Sequence, residues 1–119
     1  MEQLTKKERT IMDILWNADS ALSASEIKDT SPDLNINPVQ QVLRNLLKCK
    51  FIEVDDVVFN KKSLTRTYKP LVSQTQYISA FISDSNRFKL LCGLVDEEDD
   101  LDSLNELQKL IDKRKKEIR

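Results

Sequence analysis

Polar side chains recur at the spacing of one helix face between residues 37 and 48. Asn37, Gln41, Arg44 and Lys48 follow one another at intervals of four, three and four residues, which aligns them on a single helical stripe. An Arg side chain can donate two hydrogen bonds to guanine, and Asn or Gln can form two with adenine. The stripe is therefore suited to contacts with base edges, although polar residues opposite a core face are simply solvated in most helices.

Neighbouring residues extend this candidate surface. Gln40 and Asn45 flank the stripe, and a basic hairpin follows it in the sequence. Basic side chains that contact phosphate supply affinity without sequence information. We predict that the residues that read bases are Asn37, Gln40, Gln41, Arg44 and Asn45, of which Gln40, Gln41 and Arg44 are favoured. The residues predicted to contact phosphates are Lys48, Lys61, Lys62 and Arg66.

The residue types that the chain lacks exclude most catalytic chemistry. It has no His, which rules out Ser–His and Cys–His nucleophile pairs and imidazole metal sites. Cys49 and Cys92 do not form a CxxC motif, which argues against a thiolate metal site and favours a reducing compartment. A single Gly leaves no Gly-rich phosphate loop. We expect neither an enzyme nor a bound metal or cofactor.

Charge is balanced over the whole chain but uneven along it. Nineteen basic and 20 acidic residues give a net charge of −1. Residues 34–69 carry seven basic and three acidic side chains, an excess of +4, whereas six acids lie in residues 96–102. The basic segment indicates a polyanion-facing surface of limited area, with ordinary solvated faces as the alternative. No apolar run approaches a membrane span, so we expect a soluble, cytoplasmic protein that does not bind a membrane.

Cap signals and apolar spacing predict three short helices before residue 51. Two capping boxes, Thr5–Glu8 and Ser23–Glu26, open the first and second helices. The third is predicted to begin with Asn37 as its N-cap and to run to about Lys50. Its apolar face is predicted to consist of Val39, Val42, Leu43, Leu46 and Leu47.

The pattern then changes from helix to strand. Residues 51–59 are rich in β-branched and aromatic types, residues 60–63 supply a turn, and residues 64–69 form a returning strand that Pro70 stops. Three helices followed by a hairpin is the order of a winged helix-turn-helix, whose third helix enters the major groove while the wing flanks it. We predict a mainly α fold with a small β-hairpin wing.

Residues 73–119 are predicted to form three amphipathic helices, with Asp84 or Ser85 capping the second and Ser103 the third. They carry more apolar surface than a single helical arm can bury, so we expect a second copy to interlock with them as a homodimer. Folding back onto their own domain is the alternative. The predicted interface residues are Tyr77, Phe81, Phe88, Leu91, Leu94, Leu104, Leu107, Leu110 and Ile111.

Several segments, taken in order, resemble one known family over nearly the whole chain. Leu4–Glu8 followed by Ile11–Trp16 resembles the opening of the penicillinase repressor (BlaI/MecI/CopY) family, and Ser23–Ile27 resembles its second helix. Val39–Ile52 is similar to its third helix and the entry to its wing. Tyr68–Tyr77 is similar to the wing exit that leads into its dimerisation helices.

This resemblance implies a cytoplasmic bacterial repressor that acts as a homodimer on a palindromic DNA operator. Residues 1–72 would form the winged-helix DNA-binding domain and residues 73–119 the helical dimerisation region. A winged-helix module for protein–protein contacts, without specific DNA binding, is the alternative. Pro38 stands where the family usually has Thr, and Asn45 where an Arg is common, so the operator sequence is expected to differ.

The residues through which members of this family are released from DNA are not present at the matching positions of this chain. Cys92–Val95 stands where β-lactam-responsive members have an Asn-Phe bond that a sensor protease cuts, so we do not expect cleavage at Gly93-Leu94. The C-terminus lacks the paired cysteines of copper-responsive members. Oxidation of Cys92, or a hard cation at the acidic run, would be alternative signals, although a small core residue and a solvated loop or helix cap are the more common roles of such residues.

Overall fold

The computed structural model describes residues 1–60 and 63–119, in which six helices and three strands follow one another. This confirms the predicted mainly α fold with a β-hairpin wing. A short first strand, which the sequence did not predict, lies between the first two helices. In chain order the elements are α1 (Lys6–Asn17), β1 (Leu22–Ser23), α2 (Ala24–Thr30), α3 (Ile36–Lys48), β2 (Ile52–Asn60), β3 (Ser63–Pro70), α4 (Gln74–Ala80), α5 (Asp84–Glu97) and α6 (Leu101–Glu117).

Both predicted capping boxes are present. The Thr5 hydroxyl accepts a hydrogen bond from the Glu8 backbone N–H at 3.2 Å, and the Glu8 carboxylate accepts one from the Thr5 N–H at 2.8 Å. Ser23 and Glu26 repeat this pair of bonds at the start of α2. Each box satisfies two backbone donors that have no partner inside the helix.

Three predicted helix starts were wrong by a few residues. Helix α3 begins with Asn35 as its N-cap, not Asn37, so Pro38 is the third helical residue, where its missing N–H is not needed within the helix. The N-cap of α5 is Ser83. The N-cap of α6 is Asp100 instead of Ser103, because the Asp100 carboxylate accepts the Ser103 N–H at 3.3 Å.

The molecule divides into two compact units, Met1–Ala80 and Phe81–Arg119. The first contains the buried core, which side chains of α1, α2, α3, α4 and the start of the wing build together. None of the helices in the described ranges combines the length and apolar character needed to cross a bilayer. The core residues are Ile11, Met12, Leu15, Ile27, Val39, Val42, Leu43, Leu46, Phe51, Ile52 and Tyr77.

The sheet is antiparallel with strand order β1-β3-β2. Its base joins the core through Ile52, which is 1% exposed, and Tyr68, which packs against the core cluster. A bulge interrupts the β2–β3 ladder, since Val54 pairs with Tyr68 and Asp56 pairs with Thr67. Asp55 is the extra residue. Because of it, each later β2 side chain lies on the face of the sheet opposite to the one that strict alternation would give.

Candidate nucleic-acid interface

Helix α3 buries one face and presents the other to solvent. Val39, Leu43 and Leu46 are each no more than 1% exposed, and they hold the helix against α1 and α2. Since successive residues turn by about 100°, packing of this face directs the opposite stripe outward. The structure therefore leaves every predicted α3 contact residue exposed: Asn37, Gln40, Gln41, Arg44, Asn45 and Lys48.

Three of these polar side chains are joined in one hydrogen-bonded network. Arg44 Nη2 donates to Gln41 Oε1 at 2.9 Å, and Gln41 Nε2 donates to Asn45 Oδ1 at 3.3 Å. Gln41 therefore uses both ends of its carboxamide to connect its neighbours. Such bonds restrict the rotamers that long surface side chains sample, which lowers the entropy lost when they contact a ligand.

Three of the cations predicted to contact DNA remain outside the ion pairs of the described residues. Among the described residues, Arg44, Lys48 and Arg66 form no ion pair with an acidic side chain. Unpaired, exposed cations retain their full attraction for a polyanion. Lys61 and Lys62, the other predicted phosphate contacts, lie outside the described residues.

The acidic residues at the base of the wing have partners within the hairpin. Lys69 Nζ lies 3.2 Å from an Asp55 oxygen and 3.3 Å from a Glu53 oxygen. Hydrogen bonding to Asp55, and then to Glu53, raises the pKa of Lys69 above its ordinary value. Asp56 Oδ1 accepts the N–H of Val57 at 2.8 Å. Lys69 is therefore the partner that neutralises Asp55 and Glu53, and the sequence did not identify it in this role.

The pairing register defines which side chains share a face in the outer half of the wing. Val57 pairs with Arg66 and Phe59 with Leu64. Directly paired residues of antiparallel strands lie on the same face, and alternate residues of one strand do so as well. These four residues, which we call the distal wing face, thus continue the face that carries Tyr68.

The second unit has exposed apolar helices and no core of its own. Neither α5 nor α6 contains a buried residue. Large side chains are strongly exposed on both helices, among them Phe88 at 73% and Leu110 at 61%. The predicted interface residues Phe81, Phe88, Leu91, Leu94, Leu110 and Ile111 are exposed, and Leu104 and Leu107 are half-buried.

A groove of about 370 Å³ runs between α5 and α6. Its lining is mainly aliphatic and also includes Glu98, Ser103 and Glu106. An apolar groove on a chain with this many exposed leucines is typical of surfaces that contact another protein chain. The apolar side chains that line it are Leu91, Leu94, Val95, Leu107 and Leu110.

Tyr77 has a different place from the one expected of an interface residue. It is 5% exposed, and its hydroxyl accepts a hydrogen bond from the Leu4 backbone N–H at 2.8 Å. Its ring lies 5.7 Å from the Trp16 ring and 6.0 Å from the Phe51 ring. Tyr77 thus stabilises the first unit, which extends to Ala80 and includes α4.

The residues considered for a release signal lie on or next to α5. Cys92 is exposed, and the Gly93-Leu94 bond lies inside α5. No group of three or more potential metal ligands is arranged around a common point in the described part of the chain.

Comparison with known proteins identifies the family. The model of the penicillinase repressor family matches residues 4–113, which include nearly all of both units. No curated protein matches the chain.

The similarity of this chain to solved structures is weaker than its match to the family model. Two structures of the regulator PerR, one described as GAS PerR-Zn-Zn and one concerned with peroxide sensing and gene regulation in Streptococcus pyogenes, each have a TM-score of 0.44 and 18% identity over 58% of this chain. The chain spans less than half of their length, 45% and 48%. Staphylococcus aureus MarR with salicylate and kanamycin has a TM-score of 0.44 and 14% identity, over 98% of this chain and 73% of MarR.

The family model alone carries the assignment, because its match runs from the residue before the α1 cap to within the last turns of α6. The chain belongs to the penicillinase repressor family of transcriptional regulators.

Proposed function

We propose that this protein is a bacterial, cytoplasmic repressor that binds a palindromic operator as a homodimer, with α3 of each copy in the major groove. The observation that carries the proposal is the exposed Arg44–Gln41–Asn45 network on the helix face opposite the core. Guanidinium and carboxamide groups are the side chains that distinguish guanine and adenine in that groove.

Base reading is assigned to the exposed polar residues of α3. Gln41 and Arg44 occupy the centre of the stripe, and Gln40 lies beside them. Asn37 would reach the groove from the first turn and Asn45 from the flank of the stripe. An intact network favours a defined presentation of Arg44, whose two terminal nitrogens match the acceptor pair of guanine.

Phosphate contacts are assigned to the cations that end this stripe or follow it in the sequence. Lys48 ends the stripe, and Arg66 lies on the wing, with Lys61 and Lys62 between the two strands in the sequence. The ion pairs of Lys69 support this assignment, because they offset two carboxylates that would otherwise repel the DNA backbone.

Dimerisation is assigned to α5 and α6. The absence of buried residues in both helices supports a partner chain, since an isolated helix pair with so much apolar surface gains stability by covering it. In a symmetric dimer each residue contact occurs twice, and two α3 helices would meet half-sites about 34 Å apart on one side of the duplex.

Selection of duplexes from a random DNA pool with the purified protein tests this function. We expect enrichment of a motif with two-fold symmetry, and a gel shift of the enriched duplex that survives excess competitor DNA. Enrichment of no motif, together with binding that competitor abolishes, would contradict sequence-specific repression and favour a protein–protein module.

A further inference from the structure

The second unit separates its charges along α6. Residues 96–106, which we call the acidic pole, carry seven acidic side chains and no basic one. Residues 107–119, which we call the basic pole, carry six basic and two acidic side chains, a net charge of +4. Helix α6 has 17 residues and is therefore about 26 Å long. The helix dipole favours acids at its start, but it supplies only about half a charge there, which does not offset seven carboxylates.

Little of this charge is neutralised within one copy. In the part of the chain that the structure describes, no carboxylate of the acidic pole forms an ion pair, and neither do Lys113, Lys115 and Lys116. The pair between Arg114 and Glu117 lies inside the basic pole. Charges separated by most of the length of α6 are also screened from one another, since the Debye length is about 8 Å at physiological salt. Each pole therefore retains its charge for a partner.

An apolar stripe on α6 connects the two poles. Intervals of three, four and seven residues align its members on one helix face: Leu104, Leu107, Ile111 and Ile118. Ile111 is 48% exposed and Ile118 is 69% exposed. Asp100 lies four residues before Leu104, and Lys115 lies four residues after Ile111, so each borders the stripe. A partner that covers the stripe therefore also lies against both poles.

A second copy of the chain is the occupant that matches this pattern. A stripe with opposite charges at its ends is complementary to itself when one copy is turned end for end, whereas copies in the same direction would place seven carboxylates against seven. We propose that two copies pack with their α6 helices antiparallel, about an axis near Lys109 at the middle of α6, so that the acidic pole of each faces the basic pole of the other. The inference rests on the proposed homodimer and adds its orientation and the charges that determine it.

Carbodiimide cross-linking of the wild-type protein tests this orientation, because the reagent joins a carboxylate to a lysine amine without a spacer. Equal amounts of ¹⁵N-labelled and unlabelled chains, allowed to exchange before the reaction, distinguish links between copies from links within one copy. We expect mass spectrometry to show amide bonds between residues 96–102 of one copy and Lys113, Lys115 or Lys116 of the other. Even Asp102 and Lys113 are about 17 Å apart along one α6, which is too far for a direct link within a copy.

Charge reversal in the basic pole gives an independent measurement by sedimentation equilibrium. Lys115→Glu/Lys116→Glu lowers the net charge of this pole from +4 to zero. We expect the dissociation constant of the dimer to rise about tenfold at low salt, and the difference from the wild type to shrink as salt increases. Lys6→Glu/Lys7→Glu is the matched control, because it makes the same change in net charge at exposed positions of α1 and should leave the dimer unchanged. Circular dichroism verifies that both variants retain their helices.

Three results would overturn this orientation while the proposed function stands. The first is a dimer without cross-links between the poles of different copies. The second is a charge-reversed variant that associates as tightly as the wild type or more tightly, because copies packed in the same direction would gain from the loss of like charge. The third is equal weakening by the α1 control. A wild-type protein that is monomeric at all concentrations would instead reject the proposed homodimer itself.

Discussion

Arg44 and Gln41 are joined side chain to side chain on the solvent face of α3, with 2.9 Å between Arg44 Nη2 and Gln41 Oε1. Gln41 also donates to Asn45, so a single carboxamide connects the two residues. Because one turn of helix separates Gln41 from its partners, this pairing follows directly from the i, i+3 and i, i+4 spacing. The relationship unites three of the side chains that we propose for base reading.

Replacement of the central residues should relax sequence preference more than affinity for DNA in general. We expect Gln41→Ala and Arg44→Ala each to reduce discrimination at one base pair per half-site by about 1–3 kcal/mol. Gln41→Ala should also affect the base that Arg44 contacts, because it removes the acceptor that orients the guanidinium. Competition between the selected duplex and its single-base variants measures both effects. Unchanged discrimination in both variants would contradict the docking of α3.

Replacement of a phosphate contact should act alike on all sequences. Lys48→Ala and Lys61→Ala should each weaken specific and non-specific binding by the same factor and reduce the salt slope by about 1. Lys28→Ala is a control, since Lys28 lies beside Asp29 on α2, at 4.0 Å between charged atoms, and we assign it no DNA contact. Salt titrations of binding measure the slopes, and a loss confined to the selected duplex would place these lysines at base edges instead.

A charge introduced into the apolar surface of α6 should prevent association of two copies. Leu110 is 61% exposed and lines the groove between α5 and α6, so burial of a carboxylate there would be costly. We expect Leu110→Glu to halve the mass measured by light scattering. Asn105→Glu, which adds the same charge at another exposed position of α6, should leave the dimer intact. A wild-type protein that is monomeric at all concentrations would refute the dimer itself.

The start of α6 should respond to acid through Asp100. Hydrogen bonding from the Ser103 hydroxyl, 2.7 Å from Asp100 Oδ2, is the main cause that lowers the pKa of this carboxyl below its ordinary value of 3.8. A lowered pKa in the folded protein means that the cap stabilises α6 above pH 3.8 and is lost as the pH falls through the folded value. Ser103→Ala should raise the pKa toward 3.8, as an NMR titration of the Asp100 carboxyl measures. An unchanged value would assign the shift to the backbone donors.

The order of elements could be predicted because caps and periodicity act locally. Thr5–Glu8 and Ser23–Glu26 form the bonds that their spacing requires. The start of α3 could not be read in the same way. Asn35 and Asn37 are both acceptable caps, and Asn35 takes the position with extended backbone but without a side-chain cap bond.

The β-bulge of the wing has a signal in the sequence, although the bulge was not predicted. Apolar residues occur at 52 and 54 and then at 57 and 59, so the alternation shifts by one position at Asp55 and Asp56. A β-bulge is the physical consequence, and only the pairing register shows that it brings Phe59 to the side of Arg66.

Tyr77 illustrates a limit of periodicity. Its spacing with Phe81 is typical of an amphipathic helix. This spacing does not distinguish a helix face that packs on its own core from one that packs on a second copy. The hydrogen bond from Leu4 and the ring contacts with Trp16 and Phe51 connect residues far apart in the chain, so only the folded unit shows that Tyr77 is a core residue.

Methylation of the selected duplex by dimethyl sulfate tests the central claim most directly, because the reagent modifies guanine N7 in the major groove and adenine N3 in the minor groove. We predict that the wild-type dimer protects guanine N7 in two symmetric clusters about 34 Å apart on one side of the duplex, and that Arg44→Ala loses protection of one guanine in each cluster. A single cluster, or guanine N7 positions that remain fully reactive beneath bound protein, would contradict a dimer that reads DNA with paired α3 helices.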